Sequence, residues 1–91
     1  MRHYVMNRKN VYAGTQEEVA KIVCLFLRGY ANKQEVQAVV DFIRVQRSLG
    51  TRELVWRGVG IDTTARACKC WIEDRNAVNA FRKSVGVAEM A

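Results

Sequence analysis

Two segments of this chain carry their own helix start signals, and nothing else in it limits the fold as firmly. In Thr15-Gln-Glu-Glu18 a hydroxyl residue stands three places before a glutamate, so each side chain can satisfy the other's free backbone amide. Val19, Ile22, Val23, Phe26 and Leu27 follow at three- and four-residue spacing, which lines them along one helix face. Arg28 suits the negative end of the helix dipole, and Gly29 supplies a stop. Asn32-Lys-Gln-Glu35 repeats the start signal. It predicts a second helix from Lys33 to about Ser48, with Val36, Val39, Val40 and Ile43 buried, Phe42 flanking them and Gly50 beyond the end.

The same grammar extends to the rest of the chain. Thr51 caps a short third helix, Arg52 to about Arg57, that turns Leu54 and Val55 inward. Gly58-Val-Gly60 makes a turn. Asp62, Thr63 or Thr64 then caps a fourth helix whose core positions are Ala65, Cys68 and Ile72, with Trp71 beside them. The stripe either continues through Val78, Phe81 and Val85 or restarts as a fifth helix at Asn76. Proline is absent, and strand-like alternation is scarce. The expected fold class is therefore all-α, a compact bundle of four to five helices. Residues 1–14 form an N-terminal arm, 15–86 a single helical domain and 87–91 a tail. A chain of 91 residues supports one core.

Chemistry is excluded more readily than it is assigned. The single histidine, His3, lies in the arm, away from Cys68 and Cys70. Those two cysteines sit two apart on an expected helix and so diverge, which suits free thiols better than a metal site. Cys24 falls in the apolar run Ile22–Leu27 and reads as a small core residue. No phosphate-binding glycine loop is present, and no cysteine has a general base near it in sequence. The expectation is a protein without catalysis, cofactor or metal. No apolar run is long enough to span a membrane and the N-terminus has no signal-peptide pattern, so a cytoplasmic location is expected.

The formal net charge of +6 favours a polyanionic partner. Arg44, Arg47, Arg52, Arg57, Arg66 and Lys69 fall between residues 44 and 69, where only Glu53 and Asp62 oppose them. Within that region Leu54 and Val55, then Val59-Gly60-Ile61, then Asp62-Thr63-Thr64 resemble the helix-turn-helix family of DNA-binding regulators. The resemblance covers residues 51–72, about a quarter of the chain. It implies that the glycine permits a tight turn and that the helix after it enters the major groove. Thr63, Thr64, Arg66, Ala67, Lys69 and Cys70 would then face the groove. Arg66 is placed for a guanine, the threonines for phosphate or a base edge. Lys69, Arg52, Arg57, Arg44 and Arg47 would neutralise phosphates.

The first expectation is thus a small basic protein that binds double-stranded DNA, a transcriptional regulator of phage or plasmid type acting as a homodimer. A second is a small helical adaptor or inhibitor that binds a host protein. A third is an RNA-binding or packaging subunit. Trp56 separates the first two: either it packs in the core, or it is an exposed anchor for a protein partner.

Overall fold

A computed structural model describes residues 11–64 and 68–91. The elements run β1 (Tyr12–Gly14), α1 (Gln16–Arg28), α2 (Lys33–Ser48), β2 (Glu53–Trp56), β3 (Val59–Asp62), β4 (Cys68–Ile72) and α3 (Arg75–Ser84). The four strands form one antiparallel sheet in the order β1-β4-β3-β2. This overturns the all-α bundle. The described residues hold three helices and a sheet, and residues 51–72 contribute three strands where a helix-turn-helix unit was expected.

The two signalled helices form as their caps dictate. Thr15 Oγ1 accepts from the Glu18 amide at 3.1 Å, and Glu18 Oε1 accepts from the Thr15 amide at 2.9 Å. Those bonds, the backbone one first, hold the Glu18 carboxyl below its ordinary range. Gly29 closes α1 with φ at 76°. The Asn32 side chain accepts from the Glu35 amide at 2.8 Å and starts α2. The inward faces of both helices bury Val19, Val23, Leu27, Val36, Val39, Val40 and Ile43. Each such side chain contributes roughly 1.5–3 kcal/mol through removal from water.

Strand alternation sorts the sheet into two faces. Tyr12, Cys70, Ile61 and Leu54 are cross-strand neighbours in one row, and Ile72, Val59 and Trp56 in the next. This face meets the helices, and Val59, Ile61, Cys68 and Cys70 join α1, α2 and Val78 of α3 in one core. Cys68 and Cys70 therefore point the same way, into the interior, rather than diverging around a helix. All three cysteines are free and buried. Burial pushes the thiols up, to about 11 for Cys68 and about 12 for Cys70.

The opposite face carries Lys69 beside Asp62, and Trp71 beside Gly60. Trp71 is buried, its indole lies across Gly60, and its Nε1–H donates to Glu73 Oε1 at 2.6 Å. Gly60 is thus no turn residue. It sits in β3 because a side chain there would occupy the space of the tryptophan ring.

The turn is Arg57-Gly58, and both residues have positive φ, 54° and 86°. That pairing closes a two-residue hairpin whose twist matches its strands. The Gly58 carbonyl accepts from the amides of Glu73 and Asp74, which seats the start of α3 against the hairpin. At the other end of α3, Arg82 Nη1 donates to the carbonyls of Leu25 (3.1 Å) and Phe26 (2.7 Å) at the end of α1. Residues 87–91 lie along α3. Asn79 bonds Met90 through both its amide groups, and Arg82 Nε donates to the Ala88 carbonyl at 2.7 Å. No helix among the described residues is long and apolar enough to cross a membrane.

Candidate functional site

Two groups of cations stand at the two ends of β2. Arg52 precedes the strand and Arg57 follows it, roughly 16 Å apart at the usual rise per residue. The first group is a cleft. Arg47 from the last turn of α2, Gly50 just after it, Arg52, and Thr63 and Thr64 beyond β3 enclose about 280 Å³. They converge because Thr63 ties the α2–β2 connection to the end of β3. Its amide donates to the Arg52 carbonyl at 2.7 Å, and its hydroxyl donates to the carbonyls of Thr51 (2.8 Å) and Arg52 (3.2 Å).

Those bonds decide what each residue can do. Thr63 is buried and its hydroxyl proton is committed, so it shapes the wall of the cleft and offers no donor to a ligand. Thr64 is exposed, but its amide (3.0 Å) and its hydroxyl both donate to Asp62 Oδ1. That turn fixes the rim. The active chemistry of the cleft is therefore the two guanidinium groups. Arg47 and Arg52 are exposed, and neither has an ion-pair or hydrogen-bond partner for its guanidinium among the described residues. Each keeps its five donors for an anion. Arg44 lies one helical turn before Arg47 and spends its Nε on Gln16 Oε1 at 3.2 Å.

The second group is a stack of rings and cations. Phe42 of α2 stacks on Trp56 of β2 with centroids 4.9 Å apart. The Arg57 guanidinium lies 5.4 Å from the Trp56 ring and 4.1 Å from the Phe81 ring of α3. Arg28 covers Phe81 at 5.4 Å and pairs with Glu35 at 3.3 Å. Trp56 is half-buried here, tying hairpin to helix, so it packs at the core margin rather than standing out as an anchor. Arg57 is held over two rings and belongs to this clamp, not to the cleft.

Of the residues named for DNA contact, Arg47, Arg52, Thr63 and Thr64 line one cleft, and Arg44 stands outside it, bonded to Gln16. Lys69 is exposed on the sheet face away from the helices, next to Asp62. Arg66 and Ala67 lie outside the described residues. Cys70 is in the core and faces no groove. In the sequence Gly50 reads as a helix stop and Asp62 as a helix cap. No local pattern reveals that Gly50 lines the cleft or that Asp62 holds Thr64 at its rim, since the contacts that build it join residues 51–52 to Thr63 between neighbouring strands. Among the described residues no cluster of three or more metal-ligating side chains occurs. No protein-family model, curated protein or solved structure matches the chain.

Proposed function

We propose that this chain is a small nucleic-acid-binding protein of the cytoplasm, acting without cofactor or catalysis, that grips the phosphate backbone of duplex DNA. The observation that carries the reading is the pair of guanidiniums, Arg47 and Arg52, without partners among the described residues and lining one cleft in a protein of net charge +6. Arginine forks match phosphate oxygens in pairs, and phosphate contacts supply most sequence-independent affinity. Arg44 widens the cationic edge along α2. The central strands of the sheet replace the helix that would have read bases. Binding through the cleft accordingly positions the protein on a duplex with little preference among sequences.

Fluorescence anisotropy with a labelled random-sequence duplex, between 50 and 200 mM salt, tests this. Affinity should fall steeply with salt. Replacing Arg47 and Arg52 together by alanine should weaken binding to every duplex alike. It should also lower the log–log salt slope by about 2, about one unit for each phosphate that is no longer neutralised. No binding at low salt, or a slope that the double variant leaves unchanged, would overturn the proposal. Tighter binding to single-stranded RNA of the same length would shift the partner class while keeping the cleft.

A further inference from the structure

Among the described residues β2 ends the sheet on the side away from β1, and exposed apolar surface collects along it. The Thr63 amide donates to the Arg52 carbonyl, so Arg52 turns its main chain toward the end of β3. Main-chain direction alternates along an antiparallel strand, so Val55, three residues on, turns its N–H and C=O away from β3. Neither group has a partner among the described residues, and the Val55 side chain keeps 56% of its surface in solvent. An open strand edge of this kind is a template for another strand.

α2 borders the same edge. Phe42 stacks on Trp56 at 4.9 Å, which sets that side of α2 along β2. Ala38, Phe42, Val45 and Leu49 follow at four-, three- and four-residue spacing, so they form one stripe on that side, with the spacing of helices that pack on each other. Val45 and Leu49 are 53% and 72% exposed, and Leu49 is the most exposed large apolar side chain among the described residues.

We propose that a second copy of this chain covers this border: the two β2 strands pair antiparallel about a twofold axis at Val55, and the two α2 stripes pack together beside them. The main chain sets the register. Val55 meets Val55 of the second copy through two reciprocal hydrogen bonds. Leu54 then stands opposite Trp56 on the helix side, and Glu53 opposite Arg57, so apolar residues face each other and no like charges do. A twofold interface must be complementary to itself in this way. α2 has 16 residues, about 24 Å of helix, and the molecule is 20 Å deep. A contact of that outline buries on the order of 1,000 Å² in total, the lower limit for a specific pair, which suits a dimer of micromolar affinity. These contacts need neither Arg47 nor Arg52, so the inference does not rest on the nucleic-acid reading.

The test follows the full chain by sedimentation velocity from about 10 to about 500 µM, where an interface of this size associates. The mass should rise from one chain toward two and no further, since pairing uses up the edge. Two chains of net charge +6 repel each other, so raising salt from about 50 to about 200 mM should tighten the dimer. Chains bridged by nucleic acid would instead come apart. Val55→Lys sets two cations against each other on the axis and should weaken the dimer at least tenfold. Leu49→Lys should weaken it at least fivefold. Leu25→Lys, at an exposed position on α1, should leave it unchanged. All three side chains are exposed, so circular dichroism of the variants should match the parent. In magnetic resonance of mixed labelled and unlabelled chains, contacts between copies should join Leu54 to Trp56. A single-chain mass at 500 µM would overturn the inference. So would a dimer that Val55→Lys and Leu49→Lys both leave intact, or one that Leu25→Lys breaks as readily.

Discussion

Replacing Gly60 by alanine isolates one contact and reverses an ordinary expectation. Gly60 is not in the left-handed region, so alanine at an open strand position would help by roughly 0.5–1 kcal/mol through lower chain entropy. Here the new methyl would lie 2.5 Å from Cζ2 of Trp71 and closer still to Cε2 and Nε1. Carbon atoms in contact rest at about 3.5–4.0 Å, so the ring must retreat by on the order of 1 Å. It is buried to 1% exposure and tied to Glu73, and it has little room to go. Overpacking of this kind costs about 1–3 kcal/mol. Losing the indole hydrogen bond to a carboxylate adds about 1.5–3 kcal/mol. A total near 3–5 kcal/mol is a large part of the roughly 5–15 kcal/mol that stabilises a small domain. The melting temperature should drop by about 12–40 °C, at about 4–8 °C per kcal/mol. Urea unfolding followed by circular dichroism measures the loss. The same change made in a Trp71→Val background should be neutral or slightly stabilising, because valine does not reach across Gly60. A loss under about 1 kcal/mol in the parent, or an equal loss in the Trp71→Val background, would refute the account.

Two other perturbations follow from the fold. Arg57 holds φ at 54° in the hairpin turn while its guanidinium covers two rings. Arg57→Gly relieves a backbone strain of about 1 kcal/mol as it forfeits cation–π contacts of about 0.5–1 kcal/mol each, whereas Arg57→Ala forfeits the contacts and keeps the strain. Alanine should therefore destabilise more than glycine by about 1 kcal/mol in urea midpoints, and equal effects would show the turn is unstrained. The buried thiols predict an alkaline limb. Cys68 and Cys70 titrate at about 11 and about 12 when folded, against 9.0 for an ordinary thiol. From pH 9 upward the unfolded chain sheds protons that the folded chain keeps, so stability falls as pH rises, at about 1.4 kcal/mol per unit for each thiol. Urea midpoints at pH 8 and pH 10.5 should differ, and the pair of changes Cys68→Ala and Cys70→Ala should shrink that difference.

The sequence was most readable where one residue type forces one geometry. Thr15, Gly29 and Asn32 bound α1 and α2 at the expected places because capping is a local reaction between neighbours in the chain. The strands were hidden by a coincidence of periods. Ala65, Cys68 and Ile72 match a helical stripe, while Cys68, Cys70 and Ile72 match a strand, and the two templates share both Cys68 and Ile72. Only Cys70 and Trp71 separate them, and Trp71 is buried on the second face, where a strand rule expects a polar residue. The hairpin was equally disguised. Its turn places arginine at a position that usually holds asparagine or glycine. Leu54-Val55-Trp56 offers too few alternations to outweigh a capping threonine before it. The cleft was partly legible, since its cations were plain in the composition of residues 44–69. Their division between an anion-facing pair and the ring-bound Arg57 depends on its contact with Phe81, remote in sequence.

The position of β4 between β1 and β3 has a consequence for synthesis. The α1–α2 pair and the β2–β3 hairpin are each built from neighbouring residues and can form as soon as they leave the ribosome. Joining them needs Tyr12 to meet Cys70, a loop of nearly sixty residues closed by a strand made late. Until residue 72 has emerged, a nascent chain holds two half-shells with their oily sides open to capture. Recruitment of a chaperone at that length, and release once the last strand and Val78 of the helix after it have slotted in, would mark the moment at which the molecule acquires a single interior.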